Sequence, residues 1–183
     1  MEQVVLISNG VLSYRNDVVD DLSEPEDGEL LIAPEKVGIC SSDIPRSFDK
    51  GAYSYPLILG HELCGRVEKD PIGEYEANEL VAIFPLLPCF MCSSCSRKEY
   101  NKCNNYSYYG SRRNGGLQSR LIVNKWNVLR LPKGMQPDSA ACIEPIAVVK
   151  HAAEMIKEEK KVLIIGGGFL SQLMAQVLSR RKC

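Results

Sequence analysis

Four cysteines fall within sixteen positions in "PCFMCSSCSRKEYNKC": Cys89, Cys92, Cys95 and Cys103, separated by gaps of two, two and seven residues. Thiolates this close can converge on one cation if the loop wraps around it, and four sulfur ligands suit the closed tetrahedral site of structural zinc. An iron-sulfur cluster is the competitor, but its short bacterial pattern needs a final gap of three followed by proline. Here the last gap is seven and Asn104 follows. The stretch "SSCSRKEYNKCNN" is poor in aliphatic residues, so burial cannot hold it, whereas structural zinc contributes roughly 10 to 16 kcal/mol in small peptides. The plain alternative is four unrelated free thiols.

A second, looser set comprises Cys40 in "GICSSDIPRSF", His61 with Glu62 in "LILGHELCGRV", and Glu144 in "ACIEPIAVV". Each alone is ordinary: a lone cysteine packs in cores, a buried histidine can be satisfied locally, and Glu62 can be a solvated strand residue. Glu144 sits among Ala, Cys, Ile and Pro, where a buried carboxylate must find a cation or donors. Otherwise it is an exposed acid at a helix start, favoured by the dipole. One thiolate, one imidazole and one carboxylate leave a fourth position on zinc open, which distinguishes catalytic from structural sites. Zinc in such a site is a Lewis acid that lowers the pKa of a bound alcohol.

The elements that must position these groups follow from periodicity. From Met1 to about Leu131, short apolar or alternating segments ("VVLIS", "ELLIAP", "CGRVEK", "ELVAIF", "QSRLIV", "NVLRL") are broken by Gly, Pro, Asn and Asp, which predicts an irregular antiparallel β-barrel. "DSAACIEPIAVVKHAAEMI" switches to helical spacing, with Ile146, Val149, Ala153 and Ile156 on one stripe and Pro145 suited to a first helical position. Then "VLIIGGG" predicts an apolar strand over Val162 to Ile165 and a tight glycine turn. A helix follows, burying Leu170, Leu173, Met174, Val177 and Leu178.

With 183 residues, the chain has room for one well-buried domain and part of another. A formal net charge of -1 supplies no basic field for nucleic acid, and Arg180, Arg181 and Lys182 are too few to alter that. No run is long enough for a membrane span, and "MEQVVLISNG" has neither a basic n-region nor a long apolar stretch. The expectation is a cytoplasmic protein with reduced thiols that bind metal, rather than a secreted disulfide framework.

Taken in order, "GICSSD", "GHE", the cysteine lobe, "GSRRNGG", "CIEP" and "VLIIGGG" resemble the zinc-dependent medium-chain dehydrogenase/reductase family, over about Gly38 to the C-terminus. "PLLPCFMC", "GSRRNGG" and the proline of "SSDIPRSF" resemble its galactitol-1-phosphate and, more distantly, sorbitol-type polyol branches. The resemblance implies a mainly β fold: a GroES-like barrel with a zinc lobe over residues 1–156, then the first β-α unit of a truncated Rossmann domain over 157–183. It implies oxidation of a secondary alcohol of a polyol or polyol phosphate with NAD or NADP, and a possible homodimer or homotetramer. Carried over by position, Cys89, Cys92, Cys95 and Cys103 match structural zinc ligands, and Cys40, His61 and Glu144 match catalytic ones. Glu62 matches a residue that ligates zinc in some members and supports the ligands in others. Ser42 matches the hydroxyl that takes the substrate proton, Asp43 the carboxylate that orients the histidine, and Gly166 and Gly168 the dinucleotide turn.

Some positions depart from the family pattern. Pro45 stands where many members carry a relay histidine, Ser171 replaces the third fingerprint glycine, and "ANEL" replaces a usual glycine-aspartate turn. The chain stops at Cys183, before the acid that would grip the ribose, so little or no activity is expected of it alone. A non-catalytic zinc-stabilised module that binds a partner or dimerises is the alternative. Arg112, Arg113 and Arg46 could clamp a substrate phosphate, or be solvated loop cations.

Overall fold

The computed structural model describes residues 1–17, 23–156 and 161–181. Two compact units emerge, Met1–Ala141 and Cys142–Cys183. The boundary expected at 156/157 falls at the edge of residues 157–160, which lie outside the described residues, as do Lys182 and Cys183.

The first unit is mainly β. Its largest sheet is antiparallel, built from β3 (Glu29–Gly38), β5 (Glu62–Lys69), β6 (Leu80–Ile83), β9 (Leu121–Asn124) and β10 (Val128–Arg130), in the order β10-β6-β5-β3-β9. Alternating apolar positions turn one face inward: Leu30, Ile32, Leu63, Val67, Val81, Ile83, Leu121, Val123 and Val128 pack around Tyr109. The Tyr109 hydroxyl accepts a hydrogen bond from the Asn124 amide at 3.0 Å, which satisfies the one polar atom of that buried ring. Pro34 interrupts β3 where the pairing with β5 shifts register, as a residue without an N–H must. A second sheet runs β2-β1-β4, with β1 (Gln3–Ser8), β2 (Val11–Arg15) and β4 (Leu57–Ile58). A third pairs β7 (Leu86–Leu87) with β8 (Ser107–Tyr108).

All six expected strand segments are strands. Added to them are β2, whose residues are mostly exposed, and the two-residue strands β4, β7 and β8. Buried Asn127 donates its side-chain amide to the carbonyls of Phe84 and Leu86, which fixes the backbone that leads into the cysteine lobe. Helices are short here: α1 (Asp43–Phe48), α2 (Ser93–Ser96) and α3 (Pro137–Ala141).

The second unit holds α4 (Ile143–Glu154) and α5 (Phe169–Arg180). The expected single helix is split at Cys142, and Pro145 takes the third helical position of α4, not the first. That is still within the first turn, whose amides have no helical acceptor to lose. Val149 and Ala153 are buried with Pro145, while Ile146 is exposed. Along α5, Leu178 is buried, Leu173, Met174 and Val177 are half-buried, and Leu170 is exposed. The guanidinium of Arg181 donates to the carbonyl of Ala153 at 2.7 Å, tying the ends of the two helices. The strand expected over Val162 to Ile165 does not form. Among the described residues none pairs with it, and Leu163 and Ile165 are 84% and 89% exposed. A parallel strand exists only as part of a ladder, so apolar character alone does not make one.

Candidate metal centres

In the cysteine lobe the chain turns sharply, with Phe90 and Lys98 at positive φ (58° and 60°), so that thiols from both ends of the loop meet. The Sγ atoms of Cys92 and Cys95 are 3.5 Å apart, those of Cys89 and Cys95 3.9 Å, and those of Cys92 and Cys103 3.9 Å. Four sulfurs at the usual zinc bond length of about 2.3 Å form a tetrahedron with edges of about 3.8 Å. A disulfide would need about 2.05 Å. The four residues therefore fit one tetrahedral zinc ion and no disulfide pairing. Backbone amides aim at the sulfurs: the Cys95 amide is the largest influence pulling the Cys92 thiol down to about 6. Burial pushes Cys95 up to about 12. Outside the lobe, Trp126 packs edge-on or tilted against Phe84, Phe90 and Tyr100, with ring centroids 5.4 to 5.5 Å apart.

The second constellation grows from the pairing of β3 with β5. Gly38, the last residue of β3, lies opposite Glu62, the first of β5. Cys40 and His61 each stand just outside these strand ends, and Cys40, His61 and Glu62 offer ligand atoms within 4.8 Å of one another. His61 and Glu62 are buried and Cys40 is half-buried. Asp43, only 2% exposed, is the fastener: its Oδ2 accepts the Cys40 amide at 3.1 Å, and its Oδ1 accepts from the Arg46 guanidinium. The same Oδ1 lies 3.6 Å from His61 Nδ1, which is buried and has no hydrogen-bond partner among the described residues. Burial pushes the His61 imidazole below its ordinary pKa, against the opposing pull of Asp43 and Glu62. A neutral imidazole beside a thiol and a carboxylate is the donor set that a borderline dication takes. Tyr108 meets the histidine ring edge-on, with centroids 5.7 Å apart.

Of the predicted site residues, Cys40, His61, Glu62 and Asp43 thus come together. Ser42 stands at the N-cap position of α1, makes no side-chain capping hydrogen bond among the described residues, and is exposed. Glu144 lies in the second unit, half-buried in the first turn of α4. Gly166, at φ 113°, and Gly168, the N-cap of α5, lead into that helix. Arg46 is held by Asp43, Arg113 lies 4.8 Å over the ring of Tyr109, and Arg112 lies over the rings of Tyr53 and Tyr106.

Sequence reasoning missed Gly38, the glycine of "GIC". A Cβ there would lie 2.5 Å from Glu62 Oε2, so the absent side chain makes the space for that carboxylate. It also missed why "GSRRNGG" is rich in glycine. A Cβ on Gly115 would meet the Gly60 carbonyl oxygen at 2.2 Å and one on Gly110 would meet Gly60 backbone at 2.8 Å, so this loop packs directly against the residue before His61.

The alcohol dehydrogenase GroES-like domain family matches residues 26–133. Galactitol 1-phosphate 5-dehydrogenase of Escherichia coli K12 is 36% identical over 180 residues, covering 96% of this chain and 51% of that protein. The crystal structure of galactitol-1-phosphate dehydrogenase from Escherichia coli superimposes with a TM-score of 0.89 at 35% identity, over 98% of this chain and 53% of that one. A structure described as a zinc-binding dehydrogenase from Sinorhizobium meliloti, bound to NADP, gives a TM-score of 0.89 at 28% identity, over 98% and 53%. The chain spans about half the length of the curated relatives it matches. From the matched span, the shared fold and the ordered motifs, this chain belongs to the alcohol dehydrogenase GroES-like domain family.

Proposed function

We propose that this chain carries the metal-binding half of a zinc-dependent polyol dehydrogenase, which moves a hydride between a secondary alcohol of a polyol or polyol phosphate and NAD or NADP. The observation that carries the reading is the convergence of Cys40, His61 and Glu62, with Asp43 against the far nitrogen of the histidine. Cys89, Cys92, Cys95 and Cys103 hold the structural zinc. Cys40, His61 and a carboxylate would hold the catalytic one. Glu62 stands beside the other two ligands, and Glu144 is the alternative carboxylate. Zinc, when bound, acts as a Lewis acid that lowers the pKa of the substrate hydroxyl.

The chain's own residues do the rest. Asp43 fixes the histidine tautomer, the usual task of a carboxylate behind a metal-bound imidazole. Ser42 takes the hydroxyl proton, and since Pro45 has no group to relay it, the proton passes from the exposed Ser42 to water. Gly166 and Gly168 form the turn that admits a dinucleotide pyrophosphate to the N-terminus of α5. On this reading the barrel domain runs to 156 and the nucleotide domain starts at 157. The enzyme is cytoplasmic, forms a homodimer or homotetramer, and uses neither nucleic acid nor a lipid surface. In support, the net charge is -1, and among the described residues no helix is long and apolar enough to cross a membrane.

Cobalt(II) in place of zinc tests the proposal on this chain. A hydroxyl entering an open coordination position shifts the visible absorption of one of two cobalt ions, while the four-sulfur ion does not respond. Polyols that leave the whole spectrum unchanged would overturn the reading and favour a non-catalytic zinc-stabilised module, which needs only the first site.

A further inference from the structure

The loop that follows the cysteine lobe displays a cation in an unusual setting. The Arg112 guanidinium carbon lies 4.2 Å over the ring of Tyr53 and 4.5 Å over that of Tyr106, so two aromatic faces hold one cation. Among the described residues no carboxylate pairs with it, whereas Arg46, Arg66, Arg97 and Arg130 each have one. Packing against two ring faces leaves guanidinium N–H groups able to grip phosphate or carboxylate with two parallel hydrogen bonds. It also fixes the long side chain in advance, so less conformational freedom is lost when an anion arrives.

The position of this edge is fixed relative to the second metal constellation. The amides of Ser111, Arg112 and Arg113 all converge on the Tyr108 carbonyl at 2.9 to 3.2 Å. Tyr108 is the residue whose ring meets His61, and its other neighbour, Tyr106, is one of the two rings that hold Arg112. Gly110 and Gly115 press the same loop onto Gly60, so it cannot drift from His61 without opening a backbone contact.

We propose that Arg112 is a specificity-determining residue that binds a terminal oxyanion, phosphate or carboxylate, of the polyol whose hydroxyl reaches the Cys40-His61-Glu62 centre. The proposal rests on the dehydrogenase reading for the identity of the ligand, and on the two tyrosine rings for the residue. Isothermal titration of the zinc-loaded chain with a hexitol 1-phosphate, the matching aldonate and the unmodified hexitol tests it. At least one of the anionic ligands binds tenfold or more tightly than the neutral one, and whichever does identifies the oxyanion. Arg112→Ala brings anionic and neutral affinities within twofold of each other, and Arg112→Lys, which keeps the charge but not the planar fork of donors, loses most of the preference. No preference in the parent chain, a preference that survives Arg112→Ala, or one fully kept by Arg112→Lys each overturns the proposal. Zinc content measured in the same samples keeps the two readings apart: an Arg112-dependent preference in a chain that holds fewer than two zinc ions upholds Arg112 as the oxyanion-binding residue and removes the dehydrogenase reading.

Discussion

Replacing Gly38 by alanine adds a single methyl group where β3 faces Glu62. The new Cβ would stand 2.5 Å from Glu62 Oε2, and ordinary van der Waals contact begins at about 3.4 Å, so the carboxylate oxygen must retreat by about 0.9 Å. Metal-ligand distances tolerate deviations of only about 0.2 Å. The backbone itself accepts alanine, because Gly38 is not among the glycines at positive φ. The expected result is a selective lesion. Zinc affinity at the Cys40-His61-Glu62 centre falls 10- to 100-fold, the range typical when a ligand's support is lost, while the four-cysteine zinc stays. Competition with a chromophoric chelator measures both sites in one titration. In a Glu62→Ala background the carboxylate is gone and only the Cβ of residue 62, at 3.0 Å, must give by a few tenths of an ångström, so adding Gly38→Ala should change affinity less than about twofold. Parent-like affinity in Gly38→Ala, or an undiminished effect in the Glu62→Ala background, would refute the reasoning.

Asp43→Ala removes the partner of Arg46 and the carboxylate behind His61 together; we expect a loss of about 3 kcal/mol in urea unfolding, and weaker zinc binding at the second centre, because a buried charge is left unpaired. Cys103→Ser should abolish the structural zinc and leave a lobe cleaved by trypsin at Arg97 and Lys98 far faster than in the parent, since burial alone cannot hold it. Burial alone would raise the Asp70 carboxyl, but hydrogen bonds from Lys125 and the amides of Tyr75, Ile72 and Glu74 hold it at about 2, below its ordinary 3.8. Its stabilising contribution is complete above about pH 4 and disappears as pH falls toward 2, so Asp70→Asn should flatten acid unfolding across that window.

Much of the site was legible because metal ligands constrain sequence locally. Three of the four sulfurs come from seven consecutive residues, so spacing alone announced Cys89, Cys92 and Cys95, and Cys103 completed the set. The strand pattern was legible for the same reason, since alternation in "ELLIAP" or "QSRLIV" reports a buried face directly. What failed to show was whatever depends on a partner distant in sequence. Val162 to Ile165 has strand composition but finds no ladder among the described residues. Val11–Arg15 pairs with β1 although its pattern shows no buried face. Gly38 acquires its meaning only from Glu62 across the sheet, and Arg112 only from two tyrosines, one of them 59 positions earlier.

The central claim is that one barrel holds two unlike zinc ions, and elemental analysis of protein purified without chelators tests it most directly. The account predicts two zinc ions per chain, and one in a Cys40→Ser, His61→Gln double variant that still folds. A single zinc in the parent chain, or two retained after both ligands are removed, would contradict it.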